Sequence, residues 1–305
     1  MNRNRLTSGQ RVVKGISGTL FAFVLLLLYA PFAVMISLSF QERGTAVFPP
    51  TEFSTISYQK LFEPSNYSLF TIAGEPLTNY FPPLRLSLLL GLLTALLATV
   101  FALMAALAFR RAFRGRGPLF YVLLLGMLTP GVILGLGMRL FADEVGLDAH
   151  WYTTGLLLHV AWTMPFGFIV FLIFLNRYDD SVEEAAASLG ASRWTVFRTI
   201  TLPLLAPGVM GSLLFGFTLS LDEVQRSSFV MGNDQTLPME LLAVTGVRIT
   251  PVVYALGSLI AVASFAFLAL YFVGFERERR RTALIAPDED DDFTLAPPTA
   301  PAAAA

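Results

Sequence analysis

Cysteine is missing altogether from the 305 residues. Disulfides, thiol nucleophiles, zinc–thiolate sites and iron–sulfur clusters are thereby excluded. Histidine is almost as scarce: His150 and His159 are the only two, too few for a histidine-rich metal centre. Charged residues make up 14% of the chain, against about 25% in soluble proteins. The formal net charge of −1 offers no cationic surface for nucleic acid. Of 21 basic residues only Lys14 and Lys60 are lysines. Neither sits in a Gly-x-x-x-x-Gly-Lys-Ser/Thr loop, so the chain has no such phosphate cradle and is not itself an ATPase of that type.

Apolar residues are what the chain has in excess. They reach 55%, with a mean hydropathy of +0.64, more than one soluble core can absorb. A membrane-spanning helix needs about 20 mostly apolar residues. Six stretches qualify: 18–40, 84–109, 118–141, 151–175, 204–221 and 251–275. The fifth is ambiguous at its far end, because residues 229–232 are apolar again. Basic residues precede the first stretch as they would a signal peptide. Its apolar run, however, exceeds the roughly 7–15 residues of a signal core, so it reads as an uncleaved span.

The arginines orient these spans. The N-terminal segment 1–17, the links after spans two and four, and the C-terminal segment from 276 hold fifteen of the basic residues; the other faces hold six. Both termini are therefore expected on the cytoplasmic side of a cell membrane. Two segments lie outside the bundle: a long external loop, 41–83, and a tail, 276–305. The tail is basic, then acidic over Asp288–Asp292, then rich in Pro and Ala, and is expected to be disordered and solvated.

The link between spans four and five is the most ordered-looking polar stretch. Ser181 and Glu184 have capping-box spacing, which predicts a helix starting after Ser181. The alanines 185–187 favour helix and flatten one face. Gly190 suits a left-handed helix end, and Ser192 can cap a second helix. A helix, a tight turn and a second helix thus precede span five. A DNA-binding helix-turn-helix is excluded by charge: residues 176–203 hold three arginines against four acids, whereas phosphate binding needs cations. A docking helix for a cytoplasmic protein fits better, with small residues for close approach and Glu183 and Glu184 as charges for a partner.

The same loop is similar to the EAA signature of ABC importer permeases. Glu184, Ala185, Ala186, Gly190, Ile200, Leu202 and Pro203 all stand at the family's spacing. Thr218 to Val224, Ser227 to Val230, Thr236 to Met239 and Val247 to Pro251 further resemble spermidine/putrescine-type permeases, the second of two related subunits in particular. His159 to Pro165, and Pro130 with Gly135, fit as well. The resemblance runs from about residue 84 to 275. It implies an all-α integral membrane protein with the six transmembrane helices of the type I ABC importer permease fold and a cytoplasmic coupling helix-turn-helix, 179–203. It also implies a homologous permease partner, two ATPase subunits that carry ATP and Mg, an extracytoplasmic substrate-binding protein, and no cofactor on this chain. Glu183, Glu184, Ala185, Ala186, Gly190, Ile200, Leu202 and Pro203 would then couple to the ATPase.

Asp222 and Glu223, at the outer end of span five, form a carboxylate pair that suits a polycation on the substrate route. Charges at membrane depth usually face a cavity or the bundle interior. An ordinary solvated loop start remains the other reading. Arg226 lies four residues after Asp222 and three after Glu223, where it can pair with either on a helix. Two residues depart from the polyamine-type pattern: Arg226, where the family usually has a small or apolar residue, and Gly131, where an acid is common. Another solute, such as ferric iron, an organic anion or an amino-acid-like compound, is the runner-up. His159 reads as a satisfied interior histidine rather than a proton relay, and Gly131 with Gly135 as a close-packing pair. A membrane-embedded enzyme would need clustered acids, histidines or a nucleophile motif in the spans, and no such cluster occurs. A channel would not need the coupling loop.

Overall fold

Long apolar runs without interior polar breaks have one stable backbone state in hydrocarbon, the helix, because every N–H and C=O must be satisfied within the segment. The computed structural model describes residues 8–41, 48–50, 53–62, 80–176, 179–247, 251–262, 264–266, 269 and 273. Among these it is helical, apart from turns and an isolated bridge between Gln41 and Phe53. Most of the 41–83 loop, Arg3, Arg5, Arg177, Arg248 and the tail from 276 lie outside the described residues.

The elements are α1 (Ser8–Ser39), α2 (Ile56–Phe62), α3 (Phe81–Phe109), α4 (Arg116–Leu128), α5 (Gly131–Glu144), a π-turn (Trp151–Gly155), α6 (Leu156–Leu175), α7 (Ser181–Ser188), α8 (Arg193–Val196), a second π-turn (Phe197–Thr201), α9 (Leu202–Leu204), α10 (Ala206–Leu221), α11 (Ser227–Val230) and α12 (Leu237–Val247). Residues 251–262 form a further helical stretch. Among the described residues three helical segments are long and apolar enough to cross a membrane: Val13–Ser39, Phe81–Phe109 and Trp151–Leu175. Two bent pairs raise that number to five by length and composition.

One bend divides an expected span, and another lies just before the fifth. The stretch 118–141 is not one rod: α4 and α5 meet at 107°. Pro130 lacks an N–H and disfavours helical backbone in the residue before it, and Thr129 is extended at φ −71°, ψ 128°. The fifth span is preceded by a 66° bend, so that Arg193–Leu204 leads into Ala206–Leu221 at an angle.

The chain divides into two compact units, residues 1–58 with 251–305, and residues 59–250. In the first unit, α1 packs on the 251–262 segment. Ser39 Oγ and Ser258 Oγ both hydrogen-bond the Tyr58 hydroxyl, at 2.6 and 2.8 Å. Tyr29 and Phe32 meet Phe265 with ring centroids 6.1 and 5.9 Å apart. Much of α1 is apolar and exposed, including Leu20, Phe21 and Leu26.

The second unit is centred on α3, α6 and α10. Small residues let these helices approach closely. A Cβ on Gly216 of α10 would lie 2.9 Å from the Ala95 Cα of α3. Thr99 of α3 and Ser212 of α10 share a hydrogen bond of 2.9 Å between their buried hydroxyls. Toward one end of this core Ala102, Ala106, Phe109, Phe168 and Phe171 form a buried cluster, with Phe109 and Phe168 edge to face at 5.0 Å. Phe120 of α4 packs against it.

Candidate functional site

Two places carry the residues singled out by sequence. The first is the loop around α7. Asp179 starts the helix: its Oδ1 accepts the Ser181 amide at 2.9 Å, and this hydrogen bond holds its carboxyl below the usual range. The expected box between Ser181 and Glu184 is replaced by this shorter Asx-type link, which ties down the first amide two residues on. Helix α7 ends as expected. Gly190 has φ +87°, its amide bonds Ala187 O at 2.9 Å, and the Ala191 amide bonds Ala186 O at 3.1 Å. That pair of bonds is a Schellman motif, with glycine where a Cβ would be strained. Ser192 then caps α8 by accepting the Thr195 amide at 3.2 Å.

The two adjacent glutamates face opposite ways. Glu184 is exposed, together with Ala185 and Gly190, and so are Leu189 at 90% and Trp194 at 68%. Glu183 turns inward. Its Oε1 accepts from Arg110 Nη1 at 2.9 Å and from Thr201 Oγ1 at 2.6 Å, and its Oε2 accepts from Arg110 Nη2 at 3.1 Å. Arg110 also pairs with Asp180. Burial alone would lower the Arg110 pKa; hydrogen bonds to Glu183 and Asp180, and their charges, outweigh it and raise the pKa further above its ordinary high value. Ala186 is half-buried, as are Ile200 and Leu202, while Pro203 is exposed at the bend before α10. Arg110 and Thr201 were not singled out by sequence. The signal for Arg110 was its place as the first residue after a long apolar helix, on the side of the membrane where the expected topology also puts the acidic loop 179–184.

The second place is the turn after α10. Asp222 closes the helix and is exposed, whereas Glu223 is buried at 6% exposure. Arg226 pairs with Glu223 and not with Asp222. Its backbone amide bonds Glu223 Oε1 at 2.8 Å and its Nη1 bonds Oε2 at 2.5 Å. The guanidinium lies 3.8 Å from the centroid of the Trp162 ring, a cation–π contact. His159 sits between Ser220 and Ser227, with its Nδ1 and Nε2 at 2.7 and 2.9 Å from their hydroxyls. It is thus a satisfied interior histidine.

The apolar residues 229–232 that blurred the end of span five fold back inside this unit. Val230 and Met231 are buried, and Thr154 Oγ1 donates to Val230 O at 2.5 Å. Gly131 and Gly135 make room for this returning turn: a Cβ on Gly131 would lie 3.2 Å from Arg226 Nη1, and one on Gly135 only 2.8 Å from Phe229 Cδ2. The close packing expected of the two glycines is against a turn and a short helix, not a second long helix. Among the described residues no three or more His, Cys, Asp or Glu cluster as metal ligands.

Residues 98–280 match the family described as binding-protein-dependent transport system inner membrane component. The chain belongs to that family. The permease is 31% identical over 244 residues to the spermidine/putrescine transport system permease protein PotC of Haemophilus influenzae, covering 80% of this chain and 90% of that one. It is 34% identical over 176 residues to the putrescine transport system permease protein PotI of Escherichia coli, covering 55% of this chain and 63% of that one. A solved bacterial ABC transporter involved in the import of the acidic polysaccharide alginate contains a chain of the same fold, with a TM-score of 0.63 over 90% of the permease and 99% of that chain at 13% identity. The permease is thus a membrane component of an ABC importer.

Proposed function

We propose that this permease forms half of the translocation path of an ATP-driven importer and docks a separate ATPase through the outward face of α7 and α8. The observation that carries the reading is the division of labour in the loop: Glu183 is held within the chain, while Glu184, Leu189 and Trp194 stand exposed around a fixed Gly190 turn. An apolar side chain 90% exposed and an aromatic one 68% exposed, on either side of the turn in the chain, suit a protein partner. In this reading both termini face the cytoplasm, a homologous permease supplies the other half of the path, two ATPase subunits bind ATP and Mg, and an extracytoplasmic binding protein delivers the solute. ATP-driven closure of the ATPases shifts the permease between inward- and outward-facing states, which requires each state to bind them with different affinity.

The test is co-purification. The wild-type chain is expected to co-purify with an ATPase subunit from its own cells. Gly190→Val puts a β-branched side chain at φ +87° and costs the local turn about 1–2 kcal/mol. It is expected to lower ATPase retention and uptake together. Retention and uptake at wild-type levels would remove the turn from the docking surface.

The solute is proposed to be a polyamine-type cation, supported by the polyamine permeases among its relatives and by the open carboxylate of Asp222. Glu223 contributes less, because Arg226 already engages both of its oxygens. One observation favours an organic anion instead: Arg226 Nε and Trp162 Nε1 are neighbouring buried donors with no hydrogen-bond partner among the described residues. Uptake of labelled putrescine by vesicles carrying the complete system separates the two. Asp222→Asn is expected to lower putrescine uptake several-fold; an unchanged rate and affinity would take Asp222 out of the path.

A further inference from the structure

The loop that carries α7 is joined by the chain to α6 on one side and to α10 on the other. Helix α3 has no such covalent link to it, yet the two are tied. Arg110, the C-cap of α3, presents both terminal nitrogens to both oxygens of Glu183, at 2.9 and 3.1 Å, and also reaches Asp180. Two parallel N–H···O bonds fix the relative orientation of a guanidinium and a carboxylate, which a lysine ammonium cannot do. The placement is reinforced by the backbone. Asp180 and Glu183 lie at the N-terminal end of α7 and Arg110 at the C-terminal end of α3, each the favourable sign for its helix dipole. The same Glu183 Oε1 accepts Thr201 Oγ1 at 2.6 Å, and Thr201 closes the π-turn that leads into α9 and α10. The Glu183 side chain is 24% exposed and that of Arg110 21%, so the junction is largely shielded from water.

We propose that Arg110 is a positioning residue for energy coupling. Acting through Glu183, it makes α3 follow α7 directly, so that α3 and α10 respond to the ATPase as one body. This inference rests on the docking proposed above. The small-residue contacts of Gly216 and the Thr99–Ser212 hydrogen bond hold α3 and α10 together further along. Without Arg110, α3 would be pulled only through its packing and the hydrogen bonds further along, which leave its end beside α7 free to slip where a forked ion pair does not.

The absence of cysteine from these 305 residues lets the permease be labelled at introduced thiols alone before it is assembled with its partners. Nitroxide labels are placed at Leu92→Cys on α3 and Ala187→Cys on α7, both exposed, the second on the far side of the helix from Leu189. The distance between them is measured by pulsed electron resonance in the assembled complex, with and without a non-hydrolysable ATP analogue and Mg. In the otherwise wild-type chain the distance is expected to stay constant on nucleotide binding. In Arg110→Ala the ATPase is expected to remain bound, while the distance changes by more than about 2 Å, beyond ordinary interface helix shifts. Should Arg110→Ala fail to assemble, Arg110→Lys keeps the charge and loses the fork, and an intermediate change is expected. A constant distance in whichever variant assembles overturns the proposal, as does a nucleotide-dependent distance in the wild type. If the wild-type chain retains no ATPase, the docking reading falls and this one with it.

Discussion

Arg226→Ala is expected to destabilise the purified permease by about 3–5 kcal/mol, the usual cost of breaking a buried ion pair from one side. Glu223 is only 6% exposed, so its carboxylate cannot turn to solvent when the guanidinium is gone. The backbone amide at position 226 still bonds Oε1, but Oε2 loses Nη1, and the Trp162 ring loses the cation lying on it. The double variant Arg226→Ala/Glu223→Gln removes the stranded charge and is expected to recover much of the loss. Thermal unfolding in detergent measures both. Equal melting temperatures for the single and the double variant would mean that Glu223 is not the group that suffers.

Gly216→Val is expected to have the next largest effect, and through a different physical cause. Its Cβ would stand 2.9 Å from the Ala95 Cα. The obstacle is backbone, which cannot rotate away as a side-chain tip can. Helices α3 and α10 must therefore separate, weakening the Thr99–Ser212 hydrogen bond next to the contact. Overpacking of this kind costs about 1–3 kcal/mol, occasionally more. Gly211, five residues earlier on α10, is the control. Its Cβ would meet only Val170 Cγ1, at 3.5 Å, so Gly211→Ala is expected to be neutral or to gain some of the roughly 0.5–1 kcal/mol by which alanine favours a helix. Similar folded yield for both variants would show that the α3–α10 approach is not limited by Gly216.

How much of this was legible beforehand differed by element. Helices α1, α3 and α6 follow from uninterrupted apolar runs, because hydrocarbon leaves such a run no alternative. The Gly190 turn and the Ser192 cap were readable because both depend on neighbours a few residues away. The break at Pro130 was present in the sequence as a proline in mid-run, but an apolar count over 118–141 averages it away, and Pro165, which stays inside α6, shows that proline alone does not decide. The direction of Glu183 was not readable. Glu183 and Glu184 are chemically the same, and which one points inward depends on Arg110, more than seventy residues earlier in the chain. The spacing of Arg226 allowed a bond to either Asp222 or Glu223. The choice was settled by the fold of the turn, which buries Glu223 and leaves Asp222 at the end of α10.

The exposure of Leu189 and Trp194 bears on the life of the chain before assembly. Among the described residues nothing covers Leu189 or Trp194, so a chain newly made carries both in the open. Such a surface favours self-association and is what chaperones and membrane proteases recognise. In the proposed docking a copy that meets its partner is shielded and a surplus copy stays open to degradation, so subunit numbers would be matched after synthesis. The loop proposed to receive the motor would then also report whether the motor has arrived.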